Sequence, residues 1–156
     1  LPMLQQALRD VSAWVEQGTP PPANSGYRVD DGQVVLAPEA SARKGIQPVV
    51  TVTANGNARA VVKAGQTVKF SAKVAVPPGT GKIISAAWDF DGSGAFAEKA
   101  ALPAKAKASL TLTITHRFDT PGTYFVTVRV ESERKGDAAS PFARIPNLAR
   151  ARVVVE

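Results

Sequence analysis

From Val68 to Val76 every second residue is apolar: Val68, Phe70, Ala72, Val74 and Val76 alternate with Thr67, Lys69, Ser71, Lys73 and Ala75. A period of two places those apolar side chains on one face of an extended chain, so the segment must be a strand that buries one side only. The same rhythm recurs from Pro48 onward. Val50, Val52 and Ala54 alternate with threonines, and Leu110, Leu112 and Ile114 alternate with Ser109, Thr111, Thr113 and Thr115. Tyr124, Val126, Val128 and Val130 alternate with Phe125, Thr127, Arg129 and Glu131. Ile84, Ala86, Trp88 and Phe90 are assigned to the inner face of another strand, and a polar insertion, Ser132 to Leu148, precedes a last strand ending in Arg-Val-Val-Val-Glu. Short half-buried strands separated by turn residues predict an all-β chain folded as a two-sheet sandwich.

The turns are legible too. Pro77-Pro78-Gly79-Thr80-Gly81 ends one strand, and Thr120-Pro121-Gly122-Thr123 carries the signature of a type II turn, with Gly122 expected at positive φ. The first 46 residues follow a different rule. Leu4, Leu8, Val11 and Val15 recur at helical spacing with Trp14 beside them, Gly18 can cap the helix, and Pro20 to Pro22 forbid continuation. One amphipathic helix cannot bury its own apolar face, so it is expected to dock on the sandwich or on another domain. Trp14 and Tyr27 are the residues expected to pack this segment against its neighbour. Tyr-Arg-Val, Asp30-Asp31-Gly32 and Gln-Val-Val-Leu predict a hairpin, and 37–45 reads as a linker. The division is therefore 1–46, a helix, hairpin and linker forming the tail of an upstream domain, and 47–156, the sandwich.

Composition narrows the chemistry. There is no cysteine, which excludes a disulfide framework and thiolate chemistry. No apolar run is long enough to span a membrane as a helix. A net charge of +6 permits attraction to nucleic acid, acidic polysaccharide or anionic lipid. The basic residues are dispersed, however, with Lys99, Lys105 and Lys107 the only dense group, and a solvated surface with no nucleic-acid partner is the expectation.

Two segments resemble a known family, the PKD (polycystic kidney disease) domains. Ala87-Trp88-Asp89-Phe90-Asp91-Gly92-Ser93-Gly94 is similar to the family's Trp-Asp-hydrophobic-Asp-Gly-Asp-Gly motif, with Ser93 at the third acidic position. His116-Arg117-Phe118 followed by Gly122-Thr123-Tyr124-Phe125-Val126-Thr127-Val128 is similar to its closing pattern, with Phe118 where Tyr is usual. The resemblance spans roughly Pro48 to Glu156 and implies an immunoglobulin-like β-sandwich. It implies an accessory module in a bacterial extracellular, periplasmic or cell-surface protein, one that spaces or docks a partner domain. Carbohydrate or matrix binding is one alternative. A second comes from Ala13-Trp14-Val15-Glu16-Gln17-Gly18, which resembles the closing helix of secreted α/β-hydrolase-type esterases and implies the tail of a hydrolase.

Site chemistry is sparse. Asp89, Asp91 and Ser93 present alternate oxygens as a calcium loop does, making calcium the one cofactor the sequence offers. Alternatively, the two carboxylates accept loop amides and hold a turn. His116, the sole histidine, continues the face of Leu110, Leu112 and Ile114 and lacks partners for catalysis, so no enzymatic activity is expected. Trp88, His116, Gly122 and Tyr124 are expected to be structural, with the Tyr124 hydroxyl returning to nearby backbone as in a tyrosine corner. Stacking of Trp88 and Tyr124 on a sugar is the rival reading. Phe125, of opposite parity, and Trp14 are candidate interface residues.

Overall fold

The Val68–Val76 alternation becomes the middle strand of a three-stranded sheet. In the computed structural model, which describes residues 2–156, the chain runs from helix α1 (Pro2–Gln17) into a hairpin of β1 (Tyr27–Asp30) and β2 (Gln33–Leu36). The sandwich follows as β3 (Val49–Ala54), β4 (Arg59–Val62), β5 (Thr67–Ala75), β6 (Lys82–Asp89) and β7 (Glu98–Lys99). β8 (Ser109–Arg117), β9 (Gly122–Glu133) and β10 (Ile145–Val155) complete it. One sheet has the order β3-β5-β8 and the other β4-β10-β9-β6-β7. All sandwich pairings are antiparallel except β10 with β4.

The inner faces meet in one core. Val68, Phe70, Ala72 and Val74 of β5 pack with Trp88 of β6 and with Val126, Val128 and Val130 of β9. Phe70 is fully buried, its ring 6.1 Å from that of Trp88 and 6.4 Å from that of Phe118. Tilted aromatic pairs at such separations add to the apolar burial that closes the sandwich.

Several local expectations change. On β6 a bulge between Ile83 and Ser85 shifts the parity, so Ile83 rather than Ile84 joins Ala86 and Trp88 in the core cluster. Gly122 does not adopt the type II turn. Its φ of 159° is extended backbone, and it already forms the first residue of β9, in register with Val155. The polar insertion is shorter than expected, because β9 runs on to Glu133 and β10 begins at Ile145. Arg59–Val62, which carries no distinctive alternation of its own, is an edge strand held by parallel pairing to β10.

The N-terminal segment forms as expected but docks differently. α1 ends at Gly18, φ 67°, whose N–H donates to the Trp14 carbonyl at 3.1 Å. Asp31 and Gly32, both at positive φ, make the tight turn between β1 and β2. However, α1 packs near β10 through its polar face. Gln6 and Asp10 are buried, while Leu4, Leu8, Val11 and Val15 on roughly the opposite side stay exposed. Arg134, just after β9, donates to Asp10 Oδ1 at 2.6 Å, and Gln6 Nε2 donates to the same oxygen at 2.9 Å. Trp14 and Tyr27 are likewise exposed rather than packed on the sandwich: Trp14 lies one turn beyond Asp10 on the anchored side, and Tyr27 is on a hairpin strand whose residues are all exposed.

Candidate functional site

The residues singled out by the motifs meet at one end of the sandwich. β6 delivers Trp88 into the core and stops at Asp89, where Gly92 and Gly94, both near φ 77°, let the chain curl around the aspartate. Asp89 is buried, and both its oxygens are engaged. Oδ1 accepts from the amides of Asp91 at 3.2 Å and Gly92 at 2.8 Å, and Oδ2 accepts from Gly94 at 2.8 Å. Asp91 Oδ1 accepts from the Ser93 amide at 3.0 Å, and Ser93 Oγ accepts from Ala95 at 3.3 Å. Hydrogen bonds from Ser93 and a link to Asp89 hold the exposed Asp91 carboxyl down to about 2. Asp89 therefore spends both its carboxylate oxygens, and Asp91 its Oδ1, on amides of the loop itself. Among the described residues no group of three His, Asp or Glu side chains converges.

Beside this loop lies a cleft of about 330 Å³ lined by Trp88, Phe90, Glu98, His116 and Tyr124 among others. His116 sits on the expected face of β8, half-buried. Its ring stacks on Phe90 at 4.1 Å and 6°, and meets Phe118 edge-on at 4.7 Å. Burial lowers its pKa below 6.5, against a smaller upward pull from Glu98 and Asp119. A neutral imidazole sandwiched between aromatic rings is placed for packing. The described contacts of His116 are aromatic.

Tyr124 closes the cleft. Its ring packs 4.4 Å from Phe118, and its hydroxyl donates to the Thr120 carbonyl at 2.9 Å, the geometry of a tyrosine corner. The ring lies beside Gly122, 3.6 Å from where a Cβ would stand, an ordinary van der Waals contact. Trp88 is 1% exposed, so it offers no platform to a sugar. Phe125 and Trp14 are exposed, at 48% and 56%, on separate elements. Lys99 lies on the short edge strand β7, while Lys105 and Lys107 are exposed in the loop after it.

Two features escaped the sequence: the outward direction of the α1 stripe, and a group of arginines on the five-stranded sheet. The helical period shows that a stripe exists but not which side of the helix finds a partner. Arginines on different strands become neighbours only through register.

The family comparison agrees with the motifs. The profile described as "PKD domain" matches residues 50–144. Among solved structures, the PKD domain of M14-like peptidase from Thermoplasmatales archaeon SCGC AB-540-F20 is similar at 16% identity and a TM-score of 0.48. That match covers 71% of this chain and 98% of the archaeal one. No curated protein matches the chain.

Proposed function

Because the chain belongs to the PKD domain family, whose members are generally non-catalytic modules, we propose that it is an accessory module docking a neighbouring domain of the same polypeptide. The observation that carries this reading is the stripe of Leu4, Leu8, Val11 and Val15, exposed by 53 to 78% on a helix whose other side is pinned to the sandwich. Apolar surface of this kind, contiguous along one helix, is a docking surface far more often than a solvent face. Residues 1–46 then serve as the joint between the sandwich and that neighbour.

Two further features support it. A groove of about 360 Å³ runs beside the helix, lined by Met3, Ala7, Val11, Pro21 and Pro22 among others. Gln6 Oε1, which borders it, is buried and receives no donor among the described residues. The β1–β2 hairpin adds a second apolar face, because Tyr27 opposes Leu36 and Val29 opposes Val34 on the same side. PKD domains occur in extracellular proteins, and no helix among the described residues is long and apolar enough to cross a membrane. The first is in keeping with an extracytoplasmic parent.

Hydrogen exchange tests the reading. In the longer polypeptide, α1 amides should exchange more slowly than in the isolated chain, and L8Q/V15Q should remove the difference. Glutamine is a good helix former and both positions already face solvent, so the isolated chain should keep its melting point. Equal α1 exchange in the two contexts would defeat the proposal.

A further inference from the structure

Arg59, Arg129, Arg150 and Arg152 come from three different strands yet share the outer face of the five-stranded sheet, and from this arrangement we propose that the face binds an acidic polysaccharide. Register brings them together. Arg152 of β10 lies opposite Arg59 of β4 on one side and Phe125 of β9 on the other. Arg150 opposes Thr127, and Leu148 opposes Arg129, which in turn opposes Ala87 and, one strand further, Lys99. Alternate residues of β10 are about 7 Å apart along the strand, so Arg150 and Arg152 present two guanidiniums in line.

The four arginines make no ion pair among the described residues. The three acids of the same parity in these strands are already engaged, Asp89 by three loop amides, Glu131 by Arg144 at 2.9 Å, and Glu133 by the amides of Lys135 and Asp137 at 2.7 and 2.9 Å. Like charges in register weaken a sheet, so Arg59 opposite Arg152 breaks a local rule with no ion pair to offset it among the described residues. Such violations gather where a surface has another task.

The guanidiniums are also pre-positioned. Arg150 lies over the Phe125 ring at 5.2 Å, and Arg129 over the Phe96 ring at 4.6 Å. Phe96 holds φ 49°, a conformation rare for a bulky residue, and it puts its ring under Arg129. Cation–π contacts restrict arginine rotamers, so less freedom is lost when the planar fork engages a carboxylate. A shallow hollow lined by Thr127, Leu148, Ala149 and Arg150 lies between the rows.

Flatness and chemistry together favour a carboxylated glycan over nucleic acid. The arginines stand on strands of a broad sheet rather than on a helix or two-stranded ribbon that could enter a groove, and rings already capped by guanidinium are poor platforms for bases. An extended polymer with a carboxylate on successive sugars can lie across the arginine rows.

Affinity electrophoresis of the chain in gels containing polygalacturonate, against gels containing neutral dextran, provides the test. Migration should slow in polygalacturonate only, and less so as salt rises, as counterion release requires. R150Q/R152Q should weaken binding by about tenfold or more, as expected for losing two charge-assisted contacts. R150K/R152K, which keeps charge without the fork, should fall between, and K69Q/K73Q on the three-stranded sheet should leave affinity unchanged. A thermal melt checks each variant. If R150Q/R152Q melts lower than the parent, R59Q replaces it with the same expected direction. The proposal is overturned if migration is equal in both gels, or if K69Q/K73Q loses as much as R150Q/R152Q. It is equally overturned if single-stranded DNA of matched charge competes better than polygalacturonate.

Discussion

Arg134 grips Asp10 across 124 residues of sequence, with its guanidinium 2.6 Å from Oδ1. This contact decides which way α1 faces, because it pulls the polar side of the helix onto the sandwich and leaves the apolar side free. Arg134→Ala would leave Asp10, whose side chain is 11% exposed, with only the Gln6 amide as partner. Stability of the helix dock should fall by about 1–2 kcal/mol, within the range for losing one partner of a partly buried charged hydrogen bond. Hydrogen exchange should register this as faster α1 amides with unchanged protection in β5 and β9.

Tyr124→Phe removes the hydroxyl that holds the Thr120 carbonyl and keeps the ring against Phe118. The bond lies near solvent, so the loss should be about 1 kcal/mol, seen as a lower denaturation midpoint with an unchanged slope. An unaltered midpoint would mean that the β8–β9 connection is held by packing alone.

The pH dependence follows from His116. Burial lowers its folded pKa below the unfolded value of 6.5, so the unfolded chain binds more protons in the interval between them. Stability should therefore be complete above pH 6.5, decline as pH falls from there toward the folded pKa, and level off below it. Asp91, lowered from 3.8 to about 2, acts in a second and more acidic window. Its contribution is present above pH 3.8 and lost as pH falls through 2. Denaturant melts across pH, with an imidazole NMR titration, separate the two. An imidazole midpoint above 6.5 would contradict the first.

The Asp89 loop gives a fourth test. Because both carboxylate oxygens already accept amides, a melting scan should give the same midpoint with calcium and with chelator. Asp89→Ala should cost about 2–4 kcal/mol in either condition, since it strips three amides of their acceptor in a part-buried loop. Asp91→Ala, at a fully exposed carboxylate, should cost less. A midpoint that rises with calcium would favour the cation over the self-satisfied loop.

Much of the sandwich was legible because a strand buried on one side writes its orientation into every second residue. Val68 to Val74 and Val126 to Val130 are buried on the face that their parity assigns. The same logic failed at Ile84, since a bulge adds a residue to one strand only and its partner cannot be known in advance. It failed at Gly122 because Pro-Gly favours a type II turn locally, whereas pairing with Val155 draws the glycine into β9. His116 was readable as a half-buried strand residue, but its stacking on Phe90 depends on β8 meeting the loop after β6, a strand of the opposite sheet.

By itself, then, the period-two pattern from Pro48 determined an all-β sandwich, and the Trp88–Gly94 and His116–Val128 motifs determined its family. Those are local properties, carried by neighbours in the chain and by the alternation of side chains along extended backbone. Only tertiary structure decided which side of α1 meets the sandwich and that four dispersed arginines share one face. Both depend on register and on contacts between residues far apart in sequence, which no local pattern encodes.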